Sequence, residues 1–303
     1  MKRLIVTADD FGAAHEVNEA VEAAHRAGIL SAASLMVAAP AAADAIARAR
    51  RLPRLRVGLH LVLTEGRPLL PASALGHLVD GNGAFRTNLA TLGIVIACSS
   101  AARRQVAAEI SAQFAAFRDS GLTLDHCNAH QHFHLHPVLA ELIVTIGRSF
   151  GLRAVRLPLE PARLLRKVER RASRASGVLT LPFARMLRRR LRAAGLIAAD
   201  RVFGLRWSGR MTTDRLLALI RNLPHGLTEI YLHPATGPFA GAAPGYRYRE
   251  ELEALLDSEV VAACRDPSLQ LGGFGDFAAA GPGCVLTGDR HGGAMSQRMA
   301  VRS

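Results

Sequence analysis

Short runs of aliphatic and β-branched residues, each followed by a longer stretch of helical periodicity, recur along the chain and constrain its fold more than any other feature. Strands are expected at 3–8, 31–37, 57–63, 122–129, 153–157, 227–232 and 269–274, and helices at 15–27, 41–51, 102–120, 137–150, 212–222 and 247–264. Short apolar runs of this kind read as buried strands. Their alternation with helices implies an α/β fold with a mainly parallel sheet and crossover helices. At 303 residues, half of them hydrophobic, the chain suffices for one large domain, expected over 1–277. The Gly-rich and polar segment 278–303 is expected to be a flexible tail.

The first strand, Leu4-Ile5-Val6, leads directly into Thr7-Ala8-Asp9-Asp10-Phe11-Gly12. Two adjacent carboxylates there carry a large desolvation cost unless paired, hydrogen-bonded or bound to a metal. Alone, the pair would read as a helix N-cap. Histidines at two later strand-like segments argue otherwise. His60 sits inside Val57-Gly58-Leu59-His60-Leu61-Val62-Leu63-Thr64, and five histidines (126, 130, 132, 134 and 136) fall within Asp125–Pro137. A catalytic ion takes only two or three side chains, so most of that cluster must serve other ends. One carboxylate and two imidazoles from three strands suit Zn²⁺ or another borderline divalent ion and leave a position for water. Chemistry-bearing residues at several strand ends make a closed or irregular (β/α) barrel the better choice of architecture.

Four segments in order, Thr-Ala-Asp-Asp-Phe-Gly (7–12), Gly-Leu-His-Leu-Val-Leu-Thr (58–64), His-Gln-His-Phe-His (130–134) and Glu-Ile-Tyr-Leu-His-Pro (229–234), resemble the YdjC-like carbohydrate deacetylases over roughly residues 1–275. The resemblance implies the same barrel, one divalent metal ion (Zn²⁺ or Mg²⁺) on Asp10, His60 and His130, Asp9 as general base and His233 as general acid. The two aspartates could exchange roles. Asn128-Ala129-His130 departs from the Asp-Ser-His of the chitooligosaccharide branch and looks more like the branch associated with hopanoid biosynthesis. There the implied substrate is an N-acetylglucosaminyl hopanoid lipid; a soluble chitooligosaccharide is the alternative. A non-catalytic basic lipid- or nucleic-acid-binding barrel is the reading of another class. Arg156 is placed either on a substrate oxygen or in a buried ion pair. Tyr246 and Tyr248, after the Gly/Pro/Ala loop, are candidate sugar contacts. His132 and His134 share the strand-period face of His130 unless the strand ends there.

The net charge of +13 is concentrated. Between Ala162 and Arg192 eleven Arg and Lys residues face a single acid, Glu169, and the segment 177–183 between the basic flanks is apolar. Within 162–195 this predicts a basic helical excursion able to meet an anionic membrane surface. No reader motif accompanies the charge, which disfavours nucleic acid. The apolar run 89–98 is too short to span a bilayer. Four cysteines without Cys-x-x-Cys spacing suggest neither a zinc knot nor a disulfide framework. Lys2-Arg3 runs straight into a strand, so no signal peptide is expected. The expected location is the cytoplasm or the cytoplasmic face of the inner membrane.

Overall fold

The computed structural model describes residues 1–169 and 180–278. Seven strands form one parallel sheet: β1 (Lys2–Phe11), β2 (Ala32–Leu35), β3 (Arg56–Leu61), β4 (Cys127–Ala129), β5 (Arg201–Phe203), β6 (Gly226–Leu232) and β7 (Leu269–Leu271). Their order is β4-β3-β2-β1-β6-β5, with β7 also on β1. Every pairing is parallel, as the alternation of apolar runs and helices requires. The main helices are α1 (His15–Ala27), α2 (Ala42–Arg50), α3 (Leu89–Cys98), α4 (Ser100–Asp119), α5 (Pro137–Ser149), α6 (Ala162–Val168), α7 (Leu181–Ala193), α8 (Thr213–Arg221), α9 (Tyr248–Leu256), α10 (Ser258–Cys264) and α11 (Phe274–Ala278).

The sheet curls into an irregular barrel. The expected strand at 153–157 makes only single bridges, Val155 to Cys127 and Ala154 to Ile197, yet these close the gap between β4 and the approach to β5. Strand alternation divides the interior from the helical layer. On β1, Leu4, Val6 and Ala8 join the main core beneath the helices, whereas Ile5 belongs to a small second cluster with Ala32, Leu227, Phe274 and Phe277. Phe274 and Phe277 of α11 thus plug the barrel base, and above them the interior turns polar.

Several elements depart from the expected bounds. The strand at 122–129 is reduced to three residues. The apolar run 89–98 forms α3, capped by Asn88, and its Gly93 lies close against the His136 ring. The helix expected at 247–264 breaks at Asp257, whose carboxylate accepts from Glu259 N and Val260 N and starts α10. Both flanks of the basic excursion are helical, α6 and α7, while its centre at 170–179 and the tail from 279 lie outside the described residues. Among the described residues no helix is long and apolar enough to cross a membrane.

Asp125 ties the base together: it accepts from Phe274 N (3.1 Å), Gly275 N (2.7 Å) and His126 Nδ1 (2.9 Å). Burial raises its pKa, but His126 and the two backbone donors outweigh burial and hold it below the ordinary carboxylate range. The folded carboxyl is therefore more acidic than the unfolded one. Its stabilisation is complete above the unfolded value and is lost as pH falls through the folded value. Asp125→Asn is expected to lower stability at neutral pH and to narrow its gap from the wild type below pH 4, read by urea unfolding across pH.

Candidate active site

A local irregularity lets two adjacent residues of one strand serve the same site. The β1–β2 register shifts between Ala8 and Phe11, and Asp10 has a φ of 61°, in the left-handed region. Side chains of neighbouring strand residues otherwise point to opposite faces. β1 does not end at the Asp pair, as its sequence suggested; it bulges and continues to Phe11. Asp tolerates the left-handed region better than most residues.

Asp10 meets two imidazoles. Its Oδ1 lies 3.3 Å from His60 Nε2 and 3.3 Å from His130 Nδ1, and those two nitrogens are 3.4 Å apart. His60 comes from β3. His130 follows β4, and the chain leaves the strand there: Gln131 and His132 both adopt positive φ (53° and 54°). The strand-face argument for His132 and His134 therefore lapses. His132 Nε2 instead pairs with the Tyr231 hydroxyl (2.9 Å), and His134 Nε2 with the Arg156 carbonyl (3.1 Å). His136 precedes α5, with Pro137 at its first turn. His15 lies on the surface, 3.4 Å from Asp44.

Asp10, His60 and His130 are the group of acidic and imidazole side chains whose ligand atoms lie within 4.8 Å of one another among the described residues. Asp10 Oδ1 is buried without a hydrogen-bond partner among the described residues. A buried, unsatisfied carboxylate oxygen beside two imidazole nitrogens is a fitting donor set for a divalent cation. Burial depresses His60 to a pKa of about 4, which keeps the imidazole neutral. Burial raises Asp10, but the neighbouring His130 outweighs it and brings it to about 2. Conversely, Asp10 overcomes burial and raises His130. Glu65, just after β3, stands 3.5 Å from His130 Nε2.

Asp9 is bound differently. Arg156, fully buried, grips both of its carboxylate oxygens, and Asn128 Nδ2 donates to Oδ1 at 3.0 Å. The same guanidinium reaches Glu229 Oε1 from Nε (2.9 Å) and Nη2 (2.7 Å), and Thr7 Oγ1 donates to that oxygen at 2.9 Å. The Tyr231 ring lies 4.5 Å from the guanidinium carbon. Of the two placements open to Arg156 in the sequence, the side chain adopts the buried ion pair. Burial raises Asp9, yet Arg156 prevails and holds it far below the usual carboxylate range. Sequence reasoning missed Glu229 and Asn128 as partners; both lie within motifs it had noted, but nothing local marks a countercharge 73 residues from its arginine.

His233 ends the β6 edge of the site. Its backbone N–H donates to buried Glu251, its ring packs against Tyr231 (5.7 Å) and Tyr246 (5.1 Å), and its Nδ1 has no partner among the described residues. Burial pushes Glu251 up to about 7. Tyr246 bonds Ser208 at 2.8 Å, while the Tyr248 hydroxyl accepts from Ala243 N at 2.8 Å and fastens the preceding loop.

A curled parallel barrel carrying carboxylate and imidazole groups at its strand ends has the layout of an α/β-barrel enzyme. The chain belongs to the YdjC-like protein family, whose pattern matches residues 3–266. It is 31% identical to a carbohydrate deacetylase of Geobacillus stearothermophilus, over 90% of this chain and 97% of that protein. It is 32% identical to the carbohydrate deacetylase of Homo sapiens, with 93% of each covered. A crystal structure from Enterococcus faecalis V583, described as a cellobiose-phosphate cleavage protein, superposes with a TM-score of 0.72 at 24% identity, covering 91% of this chain and 98% of that one, which supports the fold.

Removing Arg156 leaves Asp9 and Glu229 as buried, unpaired charges. Arg156→Met is expected to cost about 3–5 kcal/mol. Arg190→Met, which breaks an exposed pair with Glu141, should cost within about 0.5 kcal/mol. Urea denaturation of both variants checks the contrast.

Proposed function

We propose that the chain is a metal-dependent N-deacetylase that removes acetyl from an N-acetylglucosamine-bearing hopanoid lipid. Carbohydrate deacetylase chemistry is the class its family and relatives define. The observation that carries metal dependence is the Asp10–His60–His130 cluster with its unpartnered carboxylate oxygen. A divalent ion held there supplies Lewis-acid polarisation of an amide carbonyl and an activated water.

In this reading Asp9 takes the water's proton. Arg156 and Asn128 keep it ionised, the state in which a base must start, and aim it beside the cluster. His233 gives a proton to the departing sugar amine, its ring steadied by two tyrosines and its backbone by Glu251. Tyr246, packed on His233, contributes an aromatic sugar contact; Tyr248 shapes the loop beside it.

The lipid-linked substrate draws support from the outer face of α6 and α7. Arg163, Lys167, Arg185, Arg188, Arg189 and Arg192 are exposed there and form no ion pair among the described residues, and Phe183 stands 45% exposed at the start of α7. Cations around an exposed aromatic suit an anionic bilayer surface, each worth about 1 kcal/mol near it. The second reading, a soluble chitooligosaccharide deacetylase, uses the same site without that surface.

The test is acetate release from an N-acetylglucosaminyl hopanoid in vesicles and from a soluble chitooligosaccharide, with metal-stripped and metal-restored protein. Metal-dependent release from the lipid is expected. Release from the soluble sugar alone would overturn the lipid assignment, and release unaffected by stripping would overturn metal dependence. Asp10→Asn and His130→Ala are expected to abolish release and stoichiometric Zn²⁺ uptake. Reversing Arg185, Arg188, Arg189 and Arg192 to Glu should reduce lipid turnover and co-sedimentation with phosphatidylserine vesicles, leaving metal uptake intact.

A further inference from the structure

Beneath the cluster, four buried polar side chains cross the barrel interior in single file. Asp125 meets His126 Nδ1 at 2.9 Å; His126 Nε2 meets Ser34 Oγ at 3.0 Å; Ser34 Oγ meets Asn128 Nδ2 at 3.0 Å. Asn128 then divides, its Nδ2 reaching Asp9 Oδ1 at 3.0 Å and its Oδ1 reaching His60 Nδ1 at 2.8 Å. Ser34, His126 and Asn128 are wholly buried. The chain makes room for this file: a Cβ on Gly58 would lie 2.5 Å from the His126 ring.

The direction of every bond follows from its ends. Both Asp9 carboxylate oxygens already accept from the Arg156 guanidinium, so the Asn128 atom facing Oδ1 is the NH₂ group. The Asn128 oxygen therefore faces His60 Nδ1, which must donate. The second Asn128 hydrogen goes to Ser34, leaving the Ser34 hydroxyl hydrogen for His126 Nε2. That nitrogen must then accept, and the His126 proton sits on Nδ1, where Asp125 takes it. One arrangement satisfies all five hydrogen bonds, and it runs one way, from His60 to Asp125.

We propose that Asn128 is a positioning residue, oriented from below by Ser34, His126 and Asp125, that fixes the Nδ1–H tautomer of His60 and so turns the Nε2 lone pair toward the metal. This deepens the metal-site reading above and rests on it. Groups that hold the remote nitrogen of a ligand histidine set its tautomer and are commonly worth 10–100-fold in metal affinity.

The experiment is a long-range ¹H–¹⁵N correlation spectrum of the full chain labelled with ¹⁵N-histidine, metal-stripped and without substrate. In the wild type, His60 and His126 are expected to carry hydrogen on Nδ1 and none on Nε2; hydrogen on Nε2 of either ring overturns the proposal before any variant is made. Asn128→Asp is nearly isosteric but only accepts. The Ser34 hydroxyl must then turn to it, and His126 must donate from Nε2 as well, so His126 is expected to become doubly protonated while His60 keeps Nδ1–H. An unchanged His126 overturns the one-way file. Asn128→Ala should leave His60 a mixture of tautomers and weaken Zn²⁺ binding about 10–100-fold in competition with a chelator; a single Nδ1–H tautomer with unchanged affinity overturns the positioning role. These spectra need neither metal nor substrate, so they read the file even if acetate release fails, and acetate release can succeed where they fail.

Discussion

A single guanidinium holds the barrel interior together electrostatically. Arg156 lies between Asp9 and Glu229, with no exposure of its own. Each of those carboxylates sits on a different strand, β1 and β6, and the arginine comes from the irregular segment that closes the barrel opposite them. Bringing three charges out of water is costly; four N–H···O contacts from the guanidinium, the Thr7 hydroxyl on Glu229 Oε1 and the Tyr231 ring offset that cost, while Glu229 Oε2 has no hydrogen-bond partner among the described residues. With Asp9 neutralised in this way, its neighbour Asp10 is left as the carboxylate with an oxygen to spare. Two adjacent, chemically identical residues thereby acquire different environments.

That division explains how one site holds so many ionisable groups. Desolvation alone would neutralise the carboxylates. Arg156 reverses it for Asp9, and His130 reverses it for Asp10. His60 has lost its own proton affinity to burial and is left as a neutral imidazole. The polar residues occupy the upper barrel because the lower barrel is filled by Phe274 and Phe277. Along β1 the inward residues run from Ile5, against the Phe274–Phe277 plug, through Thr7 to Asp9.

Much of this was legible in the chain. The apolar runs marked most strands because parallel strands buried on both faces carry a strong local signal. The Asp pair, His60 and His130 announced themselves as polar residues in apolar contexts. What stayed hidden was relational. Whether Asp9 or Asp10 met the histidines depended on a bulge with Asp10 at positive φ, which no residue type there dictates. The commitment of Arg156 depended on Glu229, whose strand-mate Tyr231 looks like ordinary core. The short strand β5 and the bridges at 154 and 155 carry too few residues to make a pattern. The break at Asp257 was visible in principle as an N-cap, but the helical periodicity on both sides concealed it.

The position of β1 has a consequence for how the molecule comes into being. β1 is made well before two of its partners: it pairs with β6 along Lys2–Ala8 and with β7 along Lys2–Leu4, strands that begin at residues 226 and 269. β2 can cover Thr7 to Phe11 early, but the edge that β6 takes stays open while the intervening chain is made. Contacts of such long sequence separation form slowly and leave sticky edges exposed meanwhile. Two charges at the end of an exposed apolar stretch are gatekeepers of the kind that disfavour self-association.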